Sequence, residues 1–383
     1  MSVTLPLGFR AAGVTAGLKS SGDPDVAVVL SDGPSHAAAA VFTANRVKAA
    51  PVRWTVQAVS DGRLRGVVLN SGGANACTGP AGEADTRLTA QRLADAMGWP
   101  VTEIAVCSTG LIGERLPMDL LLPAVDKAAA AADRGGGTAA ADAIRTTDTT
   151  AKQAGWPGPC YAIGGMAKGA AMLAPALATM LCVLTTDADL DAADLDTALR
   201  EAAGRTFSRL DTDGCMSTND TVLLLASGAA GVRPDPAEFG ELLTGVCADL
   251  ARQMQLDAEG AGKAIAIEVT GAATEEDAIA AGRAVARCNL LKCAIAGEDP
   301  NWGRVLAAVG TTDAAFDPDQ LNVAINGVWV CRNGFAAEDR SGVDLTPRDV
   351  TITIDLCAGQ HAATISTTDL TAAYVHENSA YST

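Results

Sequence analysis

From Gly169 to Leu184 the chain carries no charged residue, and Lys168 and Asp187 close the run on either side. A bilayer core about 30 Å thick needs about 20 apolar residues in a helix. This run is shorter, and Pro175 breaks it. It therefore has to be buried inside a folded core. The chain is large enough to supply one: 383 residues, 48% hydrophobic and 19% charged, a composition that excludes a disordered chain and leaves room for two lobes.

The rest of the pattern is mixed. Val26 to Leu30, Gly66 to Leu69 and Ile104 to Cys107 read as short buried strands. Glu83 to Met97 reads as a helix stopped by Gly98 and Pro100, and Leu120 to Ala132 as a packed helix ending at the flexible loop Gly135-Gly136-Gly137. Further on, Asp235-Pro236 starts a helix with Phe239, Leu242, Val246 and Leu250 on one face. Thr274 opens another helix, and Asn326-Gly327 is a hairpin turn. Ile265, Ile267 and Val269, and again Val350, Ile352 and Ile354, alternate as strands do. Intermixed helices and hairpins predict an α+β fold rather than a purely parallel sheet.

With 28 basic and 45 acidic residues the net charge is −17, which argues against nucleic acid and anionic membrane as partners. The ten cysteines form no CxxC pair, and none of His36, His361 and His376 lies at zinc-site spacing from such a pair. No metal is expected. Met1 to Arg10 has no basic stretch followed by an apolar core, so a cytoplasmic location is expected, with the cysteines reduced and mostly buried.

The segment Gly164 to Leu181 holds a lone Lys168, then Pro175, then Ala178-Thr179 opening a strand-like run to Thr186. One reading is a glycine turn before a buried strand. A phosphate loop fails, because no Lys-Ser or Lys-Thr closes a GxxxxG pattern. The other reading makes Thr179 a nucleophile. A threonine hydroxyl needs a base, and no Ser-His-Asp set is evident. Cleavage before Thr179 would free an α-amino group with a pKa of about 7.7–8.0, on the same residue as the hydroxyl it activates.

Gly165-Met166-Ala167-Lys168-Gly169, Pro175 and Ala178-Thr179-Met180-Leu181 resemble the self-cleavage site of the ornithine acetyltransferase family, also called glutamate N-acetyltransferases. Further matches follow in order: Val41 to Asn45, Asn75 to Gly79, Ser108 to Gly113, Thr146 to Thr149, Ser217 to Asp220, Gly297 to Arg304 and Glu377 to Thr383. The resemblance covers nearly the whole chain. The chain differs at Ala176-Leu177, where the family has Asn-Met. It differs again at Asp257-Ala258-Glu259-Gly260-Ala261-Gly262, where the family has Asp-Gly-Glu-Gly-Ala-Thr.

The resemblance implies a layered α/β/β/α sandwich, of the type shared with DmpA-like aminopeptidases, plus a smaller C-terminal α/β lobe. It implies cleavage between Ala178 and Thr179 into an α chain (1–178) and a β chain (179–383), assembled as α2β2. Thr179 then takes acetyl from N2-acetyl-ornithine and passes it to glutamate, with no cofactor; some members also accept acetyl-CoA. Thr109 and Gly110 match the oxyanion hole. Lys168, Glu259, Asn378, Thr383 and Thr146, the last in preference to Thr147, match substrate contacts. An aminopeptidase or amidase on the same scaffold, with water as acceptor, is the competing expectation.

Overall fold

A computed structural model describes residues 1–174 and 180–380. Ala178, Thr179 and Thr383 lie outside the described residues. The chain divides into two compact units, one of Met1–Ser208 with Cys215–Met254, the other of Arg209–Gly214 with Gln255 onward.

The first unit contains strands β1 (Phe9–Val14), β2 (Val26–Ser31), β3 (Ala38–Phe42), β4 (Gly66–Ser71), β5 (Ile104–Thr109), β6 (Lys152–Pro157), β7 (Ala162–Lys168), β8 (Leu181–Thr186) and β9 (Thr221–Ala226). Its helices are α1 (Ala50–Ala58), α2 (Gly79–Met97), α3 (Met118–Ala131), α4 (Gly137–Ala143), α5 (Ala192–Arg205) and α6 (Pro236–Leu256). Four strands form a sheet in the order β1-β2-β4-β5, and five form a second in the order β3-β9-β8-β7-β6. Both sheets are mixed: β4 runs parallel to β5, and β8 parallel to β9, with the other neighbours antiparallel.

The sheets stack face to face. Phe9, Val29, Val67 and Leu69 of the first meet Met166, Leu181, Val183 and Leu223 of the second in one apolar cluster. Val26, Val28 and Val68, on the other face of the first sheet, pack against Leu93 of α2 and Leu121 and Val125 of α3. On the far side of the second sheet, a Cβ built on Gly165 would lie 3.1 Å from Leu250 of α6. Layers therefore run α/β/β/α, as expected. Central strands covered on both faces read as continuous apolar runs, Val-Ala-Val-Val-Leu in β2 and Val-Leu-Leu-Leu-Ala in β9, with every position buried.

The second unit is built differently. Its strands are β10 (Ala264–Ala272), β11 (Asn322–Ile325), β12 (Val328–Arg332), β13 (Phe335–Ala336), β14 (Asp349–Asp355) and β15 (His361–Thr368), in the order β13-β12-β11-β14-β10-β15. Helices α7 (Glu275–Ala286), α8 (Asn289–Ala296), α9 (Trp302–Val309) and α10 (Ala372–Ala380) complete it. Burial alternates along β14, with Val350, Ile352 and Ile354 inside, so this sheet hides one face only. Ala278, Ala281 and Val285 of α7 cover that face. Asn326 and Gly327 both have positive φ, +46° and +83°, as the tight hairpin turn requires.

Two expectations are corrected. The Gly135–Gly137 run is no loose loop: a Cβ on Gly136 would lie 1.8 Å from the carbonyl oxygen of Ala11, and Gly137 is the first residue of α4. These glycines let the helix approach β1 closely. The cysteines are all free, but they are not mostly buried, since Cys77, Cys160, Cys215, Cys293 and Cys357 are exposed. Burial follows strand and inner-helix positions (Cys107, Cys182, Cys331, Cys247), while loop positions and the outer face of α8, where Cys293 lies, leave the thiol outside. Among the described residues no helix is long and apolar enough to cross a membrane.

Candidate active site

Strand β5 ends at Thr109, and the chain then turns sharply through Gly110, whose φ is +130°. The Thr109 carbonyl accepts two hydrogen bonds, from the N–H groups of Gly72 and Gly73, each at 3.0 Å. In a trans peptide the C=O and the following N–H point in opposite directions. Clamping Thr109 C=O on the Gly72-Gly73 side therefore aims Gly110 N–H the other way. A Cβ on Gly110 would stand 2.5 Å from Gly73 N, so only glycine permits this approach.

The Thr109 side chain is buried, and its Oγ1 lies 3.3 Å from Lys168 Nζ. An ammonium has only donors, so the hydroxyl accepts there and keeps its own proton for another acceptor. Two donors, the Thr109 hydroxyl and the Gly110 N–H, thus leave the same turn. Such a pair can stabilise an oxygen that develops negative charge.

Lys168 ends β7 and is almost wholly buried, which requires nearby negative charge. The internal acid is Asp148. Its Oδ1 accepts from Lys152 Nζ at 2.6 Å and from Gly169 N at 2.7 Å, and its Oδ2 from Thr146 N at 3.1 Å. Burial pushes the Asp148 carboxyl up, but Lys168, Lys152 and the Gly169 N–H together outweigh it and hold its pKa at about 2. Through this carboxylate the half-buried bend at Thr146 and Thr147 is tied to the residue after Lys168.

Ser217 to Asp220 connects these parts. Asn219 Nδ2 donates to Ser108 O at 2.8 Å and to Ala74 O at 2.7 Å, so it braces the turn and the neighbouring loop at once. Asp220 Oδ1 accepts from Met180 N at 3.2 Å. In the β7–β8 register Lys168 lies opposite Leu181. The described residue that follows Thr179 is thus held by the segment that braces the Thr109 turn.

Glu259 and Asn378 belong to the second unit. Asn378 Nδ2 donates to Glu259 Oε2 at 2.9 Å and to Tyr374 O at 3.0 Å. Gly260 has φ +61°, and its would-be Cβ lies 2.2 Å from Tyr374 N, so glycine here lets α10 settle on the loop beside Glu259. Read from residues alone the C-terminal stretch is a frayed tail. Instead α10 continues to Ala380.

Asp148, Asn219 and Asp220 are the polar residues for which the sequence suggested no role. A buried Lys168 called for a substrate carboxylate or an internal acid, and the structure supplies the acid as Asp148. Asn219 and Asp220 stood in the sequence only as part of the family match Ser217 to Asp220, with no role attached to either.

Comparison with known proteins gives first the class and then the family. An arginine biosynthesis bifunctional protein from Thermobifida fusca is 68% identical over 383 residues, with all of both chains covered. One from Streptomyces coelicolor is 62% identical over 382 residues, again covering both chains fully. Among solved structures, an ornithine acetyltransferase from Mycobacterium tuberculosis, complexed with ornithine, is 52% identical over 47% of this chain and 96% of that one, with a TM-score of 0.43. A second, from Bacillus halodurans, is 33% identical over 51% of this chain and 97% of that one, with a TM-score of 0.48. The chain is accordingly an acyltransferase of arginine biosynthesis, of the glutamate N-acetyltransferase kind. The profile of the ArgJ family matches residues 10–383, and the chain belongs to that family.

Proposed function

We propose that the enzyme cleaves itself between Ala178 and Thr179 and then moves acetyl from N2-acetyl-ornithine to glutamate through an acetyl-Thr179 ester. The observation that carries this reading is the shared bracing by Ser217–Asp220. Asn219 holds the turn that offers two donors, and Asp220 holds the residue next to Thr179. A carbonyl under attack by Thr179 would find its oxyanion donors in Thr109 and Gly110.

Thr179 Oγ attacks the Ala178 carbonyl carbon, the C–N bond breaks, and the resulting ester takes up water. The freed α-amino group then accepts the Oγ proton as Oγ attacks the acetyl carbonyl. The acetamide C–N bond breaks, and ornithine departs with that proton on its α-nitrogen. Glutamate's amine repeats the attack in reverse and regenerates the hydroxyl. One amide replaces another, so the exchange needs no energy source. Lys168 is proposed for a substrate carboxylate, Thr146 (and Thr147 beside it) for a further substrate contact, and Glu259 for the ornithine ammonium, with Asn378 and Thr383 completing the set. Acetyl-CoA is the second donor proposed.

The cut falls in the connection between β7 and β8, which are hydrogen-bonded neighbours in one sheet, so the α chain (1–178) and β chain (179–383) would stay knitted together. Assembly as α2β2 and a cytoplasmic location belong to the same proposal.

A denaturing gel with N-terminal sequencing tests it. Two bands are expected, one starting at Thr179, while Thr179→Ala stays a single chain of 383 residues. A second chain starting elsewhere would overturn the nucleophile and the base together. Acetate release without N-acetylglutamate would redirect the reading to a hydrolase.

A further inference from the structure

The loop that joins β1 to β2 folds around one buried carboxylate, that of Asp25. Its Oδ1 accepts from Ala16 N at 2.6 Å, and its Oδ2 from Gly17, Leu18 and Lys19 N at 2.9, 2.5 and 3.2 Å. The carbonyl of the same residue accepts from Ser71 N at 2.9 Å, which fixes the base of the loop to the end of β4. The next residue, Gly72, is one of the two that clamp Thr109 O. Its φ is +111°, and a Cβ on it would lie 2.9 Å from Leu18 Cβ and 3.0 Å from Leu18 O. Leu18 therefore packs on the clamp of the candidate active-site turn, and Lys19 is the residue after it.

Lys19 is half-buried, and its Nζ donates to Pro24 O at 2.8 Å, its one acceptor among the described residues. An ammonium has three donors, so this bond leaves donors for a ligand. Burial pulls the Lys19 pKa down; Asp25, Asp23 and Asp148 oppose it, and Arg145 adds to the fall. Asp25 already spreads its charge over four N–H groups. A partly desolvated cation placed so calls for an anion. Arg145 and Asp148 flank Thr146 and Thr147, so Lys19 stands within electrostatic reach of the bend proposed for a substrate contact. Arg145 is itself committed: its Nη1 donates to Thr149 O at 3.0 Å, and its Nε pairs with Asp142 at 3.3 Å.

The transfer reading leaves one substrate group without a partner. Ornithine and glutamate share an α-carboxylate, for which Lys168 is proposed, but their side chains end in opposite charges. Glu259 is proposed for the ornithine ammonium, and the side-chain carboxylate of glutamate remains. Lys168 is almost wholly buried and bonded to Thr109 at the turn itself, so it suits the carboxylate next to the reacting nitrogen. We propose that Lys19 determines acceptor specificity: its ammonium receives the side-chain carboxylate of glutamate at the Thr146–Thr147 bend. This rests on the transfer reading above. The contact is a charge-assisted hydrogen bond in which no proton changes hands. The same charge repels the side-chain ammonium of ornithine, so Lys19 acts on the second half of the exchange and not on the first.

Two variants of the full-length protein test this, with acetyl-ornithine as donor and either glutamate or glutamine as acceptor. Glutamine keeps the shape of glutamate without its side-chain charge. Lys19→Gln keeps a donor for Pro24 O and loses the cation, whereas Lys19→Arg keeps the cation. Lys19→Gln is expected to raise KM for glutamate roughly tenfold, the effect of losing a hydrogen bond to a charged group. KM for acetyl-ornithine and for glutamine should stay near the parental values. The preference for glutamate over glutamine in kcat/KM should fall by the same factor, and Lys19→Arg should recover most of it. A parental KM for glutamate in Lys19→Gln overturns the proposal. So does an equal rise for glutamate and acetyl-ornithine, which a merely loosened loop would give. If Lys19→Gln does not fold, Lys19→Arg decides alone: a retained preference for glutamate supports the role and a lost one overturns it. Failure of the transfer reading shows itself separately, as a parental protein that forms no N-acetylglutamate from acetyl-ornithine and glutamate.

Discussion

The turn at Thr109-Gly110 and the helix α10 both carry residues proposed to meet substrate, yet they are held in opposite ways. Around the turn, backbone holds backbone. Gly72 and Gly73 clamp Thr109 O, Ala74 N–H reaches Leu111 O, Gly113 N–H reaches Ala76 O, and Asn219 pins Ser108 O and Ala74 O from within the core. Helix α10 buries no residue. Its ties include Asn378 on Glu259 and, just before the helix, the Thr371 hydroxyl on Gly260 O at 2.6 Å. A backbone N–H that must face a developing charge cannot be aimed by its own side chain, so the neighbouring chain has to fix the peptide plane. A carboxylate or amide that recognises a substrate group needs only its own rotamer and a partner, which a surface helix can provide.

The sharpest way to break this comparison is Gly110→Ala. The new Cβ would stand 2.5 Å from Gly73 N and 2.8 Å from Gly72 C, both backbone atoms, at a φ of +130°. Relief means surrendering the two hydrogen bonds to Thr109 O and with them the aim of the N–H. Turnover is expected to fall by at least the roughly 10²–10³ that losing one oxyanion donor costs, with a lowered Tm. Thr109→Ala should lose about 10²–10³ in kcat through its hydroxyl alone and keep its Tm. A Gly110→Ala enzyme with parental kcat and Tm would show that the turn is not a rigid element.

A second test probes the charges beneath the turn. Asp148 is held at a pKa of about 2, below the 3.8 of an ordinary aspartate. A depressed carboxylate contributes stability that is fully present above the unfolded value and is lost as pH falls through the folded one. The difference corresponds to about 2 kcal/mol lost between roughly pH 5 and pH 2. Denaturant unfolding of the parental protein and of Asp148→Asn across that range measures it. The parental curve should fall by about that much more than the variant's. Parallel curves would mean that Asp148 does not carry the charge balance of Lys152 and Lys168.

What could be read in advance divides along the same line. The strands were legible because covering one or both faces of a sheet leaves either alternation or an unbroken apolar run, as β14 and β2 show. The hairpin at Asn326-Gly327 and the Asp235 cap were legible because each is a local backbone requirement met by a particular residue type. Lys168 was legible as a buried charge in want of a partner. The glycines at 135–137 were misread because a glycine that lets two segments approach looks, in sequence, like one that lets a loop move; the difference lies in Ala11, far away along the chain. Asn219 and Asp220 act across more than 100 and about 40 residues respectively, and neither spacing leaves a local pattern.

The smallest expected effect is on the helix side, with Asn378→Ala. The substitution removes the Nδ2 donor to Glu259 Oε2 and the bond to Tyr374 O. Because α10 buries nothing, Tm should hardly move. Self-cleavage should proceed at the parental rate, since it is proposed to use only Thr179, Ala178 and the donors of the Thr109 turn. Glu259 is nearly buried, and without that donor its carboxylate loses a fixed direction. One side-chain hydrogen bond is worth about 1 kcal/mol net, or roughly fivefold in an equilibrium constant. The effect should therefore appear as a KM raised about fivefold for the acetyl-ornithine donor, with kcat nearly kept, and as more acetate released per N-acetylglutamate formed. Parental KM together with a parental product ratio would strike Asn378 from the site and leave α10 as a surface helix. Slowed cleavage would do more: it would place the helix in the processing machinery and erase the distinction between the two regions.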